Sequence, residues 1–209
     1  MSIEITWLGH ASFRITAGGR VIYIDPWKVS RVPHDADVVF VSHTHYDHCS
    51  SPDIAKVSHP GTILIGPVDT LAKLHGGHPL TRGEGLRLGE MTVEGVAAYN
   101  VEKSYHAKTN GWLGVVLGLD GKRIYYSGDT DVVVEMTKLG SIDLAILPVA
   151  GLHTMNPAQA AEACRQIGCK AALPCHWGDI IGARSDAQAF ADAAPCPVHI
   201  LNPGQTLTL

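Results

Sequence analysis

Hydrophobic positions in the first forty residues come in short runs rich in β-branched and aromatic side chains, "IEITWL", "SFRIT", "RVIYIDP" and "ADVVFVSH", separated by the turn-forming "AGGR" and "PHDAD". Such runs predict strands. The pattern then changes. "SPDIAKV" predicts a short helix with Ser51 as N-cap and Pro52 at the first helical position, followed by strand "TILIG" and helix "PVDTLAKL". The glycine-rich "LHGGHPLTRGEG" is expected as a long surface loop.

A second strand-rich block follows, "LRLGEMTVEGVAAYN", "GWLGVVLGL" and "KRIYYSGD", with Asp-Gly of "LDGKR" marking a hairpin. "IDLAILPV", helix "NPAQAAEACRQIG", strand "KAALPCHW", helix "SDAQAFADAA" and strand "PVHIL" complete the chain. Each half thus runs strands first and strand–helix units second, although no sequence similarity between the halves is visible. The arrangement predicts an α/β fold of two face-to-face sheets with helices outside.

A chain of 209 residues with 45% hydrophobic content can build this as one domain spanning 1–209. A net charge of −4 and a pI near 6.3 supply no basic stripe for a nucleic-acid backbone. No apolar run reaches the roughly 20 residues that cross a bilayer, and "MSIEITWLGH" is unlike a signal peptide, so a soluble, cytoplasmic protein without membrane insertion is expected. Cys49, Cys164, Cys169, Cys175 and Cys196 are scattered and contain no CxxC pair, which predicts reduced thiols that mostly act as small buried hydrophobes. The apolar residues of "WLGVVLGL" and "YIDPWKV" fit a homo-oligomer interface or the core equally well.

The densest chemistry is "VSHTHYDHCS", with His43, His45, Asp47 and His48 in six positions. "ADVVFVS" reads as a strand buried on both faces, and a period of two would aim His43 and His45 the same way from its carboxyl end. Two imidazoles so placed suit one metal ion, and Asp47 and His48 in the following turn suit a neighbouring one.

"HTHYDH" resembles the signature of the metallo-β-lactamase fold superfamily, whose members form a four-layer αββα sandwich with metals at one sheet edge. By that resemblance, Asp25 of "YIDPW" orients metal-site groups by hydrogen bonds, Asp129 of "IYYSGDT" bridges two ions, and His176 of "AALPCHW" is the last ligand of the second ion, with Asp47 and His48. The chain departs from the family where a histidine usually completes the first ion's set, because "TVEGVAAYN" ends in Asn100. Either the Asn100 carbonyl serves there, or His106 swings back to do so; His106 otherwise contacts substrate or sits on the surface. "ITWLGHASF", "IDPW", "AYN", "GDTD" and "PCHW" are similar to the branch containing ascorbate-6-phosphate lactonase and N-acylphosphatidylethanolamine-hydrolysing phospholipase D, and small prokaryotic zinc-dependent hydrolases are the nearest in likeness. His10 and His153 follow strands on the cleft side, where each either binds an anionic substrate group or is a loop histidine satisfied by its neighbours.

The expected activity is metal-dependent hydrolysis of a small molecule, an ester, lactone or phosphodiester. A water between two ions would have its pKa lowered from 15.7 to about 7 and supply hydroxide, with Asp47 as the catalytic residue that both ligates and orients the nucleophile. Zn is the expected metal, two ions per chain, with Mn, Fe or Ni also suited to these donors. The alternatives are a metal-binding module whose first site is weakened by Asn100, a di-iron redox protein, and an RNA-processing nuclease; the short acidic chain lacks the flavin domain and basic surface that the last two use.

Overall fold

The computed structural model describes residues 2–209. Its first sheet has the order β13-β1-β2-β3-β4-β5-β6, built from β1 (Glu4–Gly9), β2 (Ser12–Ala17), β3 (Arg20–Ile24), β4 (Val38–Phe40), β5 (Ile63–Gly66), β6 (His78–Pro79) and β13 (Thr206–Thr208). The second runs β12-β11-β10-β9-β8-β7, from β7 (Gly85–Leu88), β8 (Met91–Ala97), β9 (Leu113–Leu119), β10 (Lys122–Tyr126), β11 (Leu144–Pro148) and β12 (Ala172–Cys175). Helices α1 (Ser51–Val57) and α2 (Val68–Lys73) belong to the first sheet, and α3 (Pro157–Ile167) and α4 (Arg184–Ala193) to the second.

Strand alternation decides which sheet face each side chain serves. Val38 and Phe40 join the core between the sheets with Ile22, Ile24, Phe13 and Tyr126, while Val39 and Val41 turn outward to a smaller cluster with Tyr23, Ile54 and Val57. A strand that is apolar at every position is therefore buried on both sides. Each fully buried Ile or Phe contributes about 1.5–3 kcal/mol relative to exposure.

β3, β4 and β5 pair in parallel, as do β10, β11 and β12. Parallel strands end on the same side, so the loops leaving β3, β4, β10, β11 and β12 gather along one rim. The hairpin between β9 and β10 turns on Asp120 and Gly121, at φ 44° and 78°, the left-handed pair that Asp-Gly supports.

Several boundaries differ from the sequence reading. Ser50, not Ser51, caps α1, its Oγ accepting from the Asp53 N–H at 3.4 Å, so that Pro52 occupies the second helical position. β4 ends at Phe40, and His43 and His45 lie beyond it, because the Asp25 carboxylate captures the Ser42 N–H at 2.7 Å and redirects the chain. "LHGGHPLTRGEG" contains β6, paired with Ile65 and Gly66. "PVHIL" makes only a bridge, Ala172 with Val198, and the last strand is instead β13, which pairs with β1.

Candidate metal centre

Asp25 anchors the rim. It is fully buried, and its carboxylate accepts from the Ser42 N–H at 2.7 Å, the Ser42 hydroxyl at 2.6 Å, the Tyr126 hydroxyl at 2.6 Å and His48 Nδ1 at 2.7 Å. The Ser42 hydroxyl proton is committed to Asp25, so its oxygen accepts from His43 Nδ1–H at 2.9 Å. Nδ1 of both imidazoles is thereby engaged, and Nε2 is the ring atom left facing the rim.

Asp129, at the turn after β10, is the meeting point. Its carboxylate lies 3.9 Å from His43 Nε2 and 3.3 Å from His106 Nε2 on one side, and 3.4 Å from His48 Nε2 and 3.1 Å from His176 Nε2 on the other. Donor atoms of His43, His45, His106 and Asp129 fall within 4.8 Å of one another, and so do those of His10, Asp47, His48 and His176. His43 Nε2 and His45 Nδ1 are 3.0 Å apart.

Asn100 and His106 do not compete for one position. Asn100 Oδ1 accepts from the His106 backbone N–H at 2.9 Å and from its Nδ1–H at 3.0 Å, while Nδ2 donates to the His153 carbonyl at 2.9 Å. The asparagine carbonyl is spent on steering His106, whose Nε2 then points at Asp129. His10, expected in the cleft, is 2% exposed and donates from Nε2 to Asp47 at 3.0 Å. It holds a carboxylate and is not available to a substrate anion. His153 lies at the cleft wall beside Tyr105, with ring centroids 4.2 Å apart.

His10, Asp25 and His176 all occupy the left-handed region, at φ 51°, 43° and 59°. Such conformations in residues other than glycine cost about 1–3 kcal/mol each and persist where surrounding contacts hold them. Here the contacts are the His176 N–H donating to the His10 carbonyl at 2.8 Å and Asp25 N–H donating to Phe40 at 2.9 Å.

Burial drives the His43 imidazole well below its ordinary 6.5, and the neighbouring His48 lowers it further. Burial alone would lower His48 too, yet the charges of Asp129 and Asp25 outweigh it and raise His48 well above 6.5. Burial would raise the Asp47 carboxyl, but the His10 hydrogen bond and the His48 charge bring it down to about 2. Asp129 is likewise held well below the carboxylate range by His176 and His48 against the effect of burial. The donor set is thus ionised carboxylates among imidazoles. His48 Nε2, His106 Nε2 and His176 Nε2 are buried without a hydrogen-bond partner. Unpaired buried nitrogens are costly unless something accepts their lone pairs. A cation does so, which is why this set fits metal ions.

The centre opens into a pocket of about 440 Å³ lined by Tyr46, Tyr105, Leu152, His153, Ile180 and Ile181 as well as by histidines and aspartates of the donor clusters. A larger groove of about 740 Å³ lies on the outer face of the first sheet, where Arg14 is already paired with Asp35 at 2.8 Å and Lys28 with Asp179 at 2.6 Å. It borders none of the donor clusters. The sequence reading missed Ser42, Tyr126 and Trp112, whose indole donates to Asp69 at 2.7 Å and stands 4.9 Å from both His43 and His45. Tyr126 was accessible to reasoning, since it alternates with Tyr125 and ends a strand running toward Asp129. Ser42 and Trp112 carried no comparable signal.

Comparisons place this geometry among known proteins. Residues 4–176 match the β-lactamase superfamily domain. A protein of Nitratidesulfovibrio vulgaris named a UPF0173 metal-dependent hydrolase is 34% identical over 232 residues, covering 100% of this chain and 96% of that protein. A solved structure from Parabacteroides distasonis superposes with a TM-score of 0.84 at 30% identity, covering 96% of this chain and 93% of its own. Igni18, a metallo hydrolase from Ignicoccus hospitalis, has the same fold, with a TM-score of 0.83 at 24% identity over 100% of this chain and 99% of its own. With its two sheets flanked by helices and a matched span running from β1 to His176, the chain belongs to the β-lactamase superfamily and has the metallo-β-lactamase fold.

Proposed function

We propose that the chain is a metal-dependent hydrolase whose two-ion centre cleaves a neutral ester or lactone carrying an apolar group. The observation that carries this reading is the convergence of buried, unpartnered imidazole nitrogens on Asp129 at the floor of an apolar-walled pocket. His43, His45, His106 and Asp129 would hold one ion, and Asp47, His48, His176 and Asp129 the other. Imidazole and carboxylate donors suit zinc first, with manganese, iron or nickel as substitutes. When bound, such ions supply Lewis acidity and a water activated near neutral pH.

The chain's own groups divide the remaining work. Asp25 and Ser42 fix the His48 and His43 tautomers, and Asn100 fixes that of His106. His10 holds the Asp47 carboxylate, which would orient the nucleophile and receive its proton. Steering of His106 by Asn100 speaks against a weakened first site, because it aims an imidazole at that position. Tyr46 is 64% exposed and Leu152 60%, so the rim presents apolar surface to a substituent. Among the described residues no lysine or arginine lines the pocket, which disfavours phosphate-bearing substrates that need a cationic clamp beyond the ions. The name of the Nitratidesulfovibrio relative supports the reaction class. A small-molecule partner follows, and no helix of the described residues is long and apolar enough to cross a membrane.

The test is turnover of matched aryl esters, lactones and phosphodiesters with added zinc or manganese. Cleavage of apolar esters or lactones, abolished by chelation and by His45→Ala, is expected. Activity that survives both would sink the hydrolase reading, and faster cleavage of the phosphodiesters would sink the choice of bond.

A further inference from the structure

On the outer side of the second sheet, away from the histidines, three of the five cysteines meet. Cys164 sits in the last turn of α3, where its carbonyl accepts from the Gly168 N–H at 2.9 Å. Gly168, at φ 65°, takes the left-handed conformation that ends the helix and turns the chain so that Cys169 folds back beside Cys164. Cys196 arrives from the segment after α4, which is tied down by the Ala172 N–H donating to the Pro197 carbonyl at 2.9 Å and by Arg165 donating to the Ala193 carbonyl at 3.2 Å.

We propose that Cys164, Cys169 and Cys196 form a second, sulfur-only site for a thiophilic closed-shell ion of the zinc class, independent of the histidine–aspartate centre. The three sulfurs lie within 4.8 Å of one another, with Cys169 and Cys196 Sγ 3.7 Å apart. Four sulfurs around zinc at about 2.3 Å stand about 3.8 Å apart along each tetrahedral edge. A disulfide needs about 2.05 Å, so forming one would require these sulfurs to close by more than 1 Å, roughly. Thiolates are the soft donors that select zinc or copper(I). Cys164 and Cys169 are buried and Cys196 is partly exposed, giving the ion a route in and leaving one side for a fourth donor such as water. An ion there would clip the end of α3 to the segment after α4.

The test is a cadmium titration of chelator-treated, phosphine-reduced full-length protein, following the ultraviolet sulfur-to-cadmium charge-transfer band, which nitrogen and oxygen donors do not produce. The wild type should develop the band to saturation at one sulfur-bound ion per chain. Cys196→Ser should lose most of the band while keeping its circular dichroism spectrum, and Cys49→Ser should keep the band. Added zinc should raise the melting temperature of the wild type by more than that of Cys196→Ser. Absence of the band in reduced protein, an equal band in Cys196→Ser, or a native mass lower by two hydrogens from a Cys169–Cys196 disulfide would each overturn the site.

Discussion

Replacing Asn100 by leucine tests how the first ion of the proposed centre would be held. The side chain is 7% exposed and gives His106 two hydrogen bonds, at 2.9 Å to its backbone N–H and 3.0 Å to its Nδ1–H. Leucine keeps the branch at Cγ but is larger and accepts nothing. Removing a partner that orients a metal-bound histidine typically costs about 10- to 100-fold in metal affinity, or about 1.4–2.7 kcal/mol. Two buried donors left unpaired also cost the metal-free protein about 1–3 kcal/mol each. The Asn100 N–H still donates to the His106 carbonyl at 2.7 Å, so the loop should stay in place. Competition with a chromophoric chelator should therefore show one of two ions weakened by about 10- to 100-fold. His106→Ala should weaken it more, and the double variant should be no worse than His106→Ala, because Asn100 acts through that imidazole. Binding by Asn100→Leu within about twofold of wild type, a change near 0.4 kcal/mol, would refute the reasoning. Additive losses in the double variant would refute it as well.

Three further outcomes are expected. Asp25→Ala strands the Ser42 N–H, Tyr126 hydroxyl and His48 Nδ1–H in the interior, and urea denaturation should show a loss of about 3 kcal/mol or more. Gly114→Ala places a Cβ 2.6 Å from the carbonyl oxygens of Ser127 and Tyr126, and overpacking of this kind should lower stability by about 1–3 kcal/mol in the same assay. For chelated protein, Asp47 has a folded pKa of about 2 against an ordinary 3.8. A depressed carboxylate binds its proton less readily when folded, so its contribution is present above about pH 4 and lost as pH falls toward about 2. Acid titration of Asp47→Asn, followed by circular dichroism, should show a shallower decline across that window, and an identical decline would contradict the assignment.

Much of the architecture was legible because its signals are local. The alternation of Val38 and Phe40 with Val39 and Val41, the Asp-Gly turn at Asp120, and the Asn156 cap and Gly168 stop of α3 each depend on a few neighbouring residues. The strand-end positions of Asp129 and His176 were readable for the same reason. β13 was not, since its pairing joins residues about two hundred positions apart through weakly hydrophobic "TLT". His106 was ambiguous because it sits in an irregular loop, and only the Asn100 side chain aims it.

By itself the sequence determined the local geometry and the inventory of donors: which runs are strands, where they stop, and that histidines and aspartates sit where strands stop. Tertiary structure alone decided the grouping. It made His10 a holder of Asp47, made Asn100 a steering group for His106, and brought Cys164, Cys169 and Cys196 together from separate segments. The physical reason is range. Periodicity and capping act over a turn or two of chain, whereas a ligand shell needs side chains from several strand ends placed within a few ångströms, and only the packing of two sheets sets those distances.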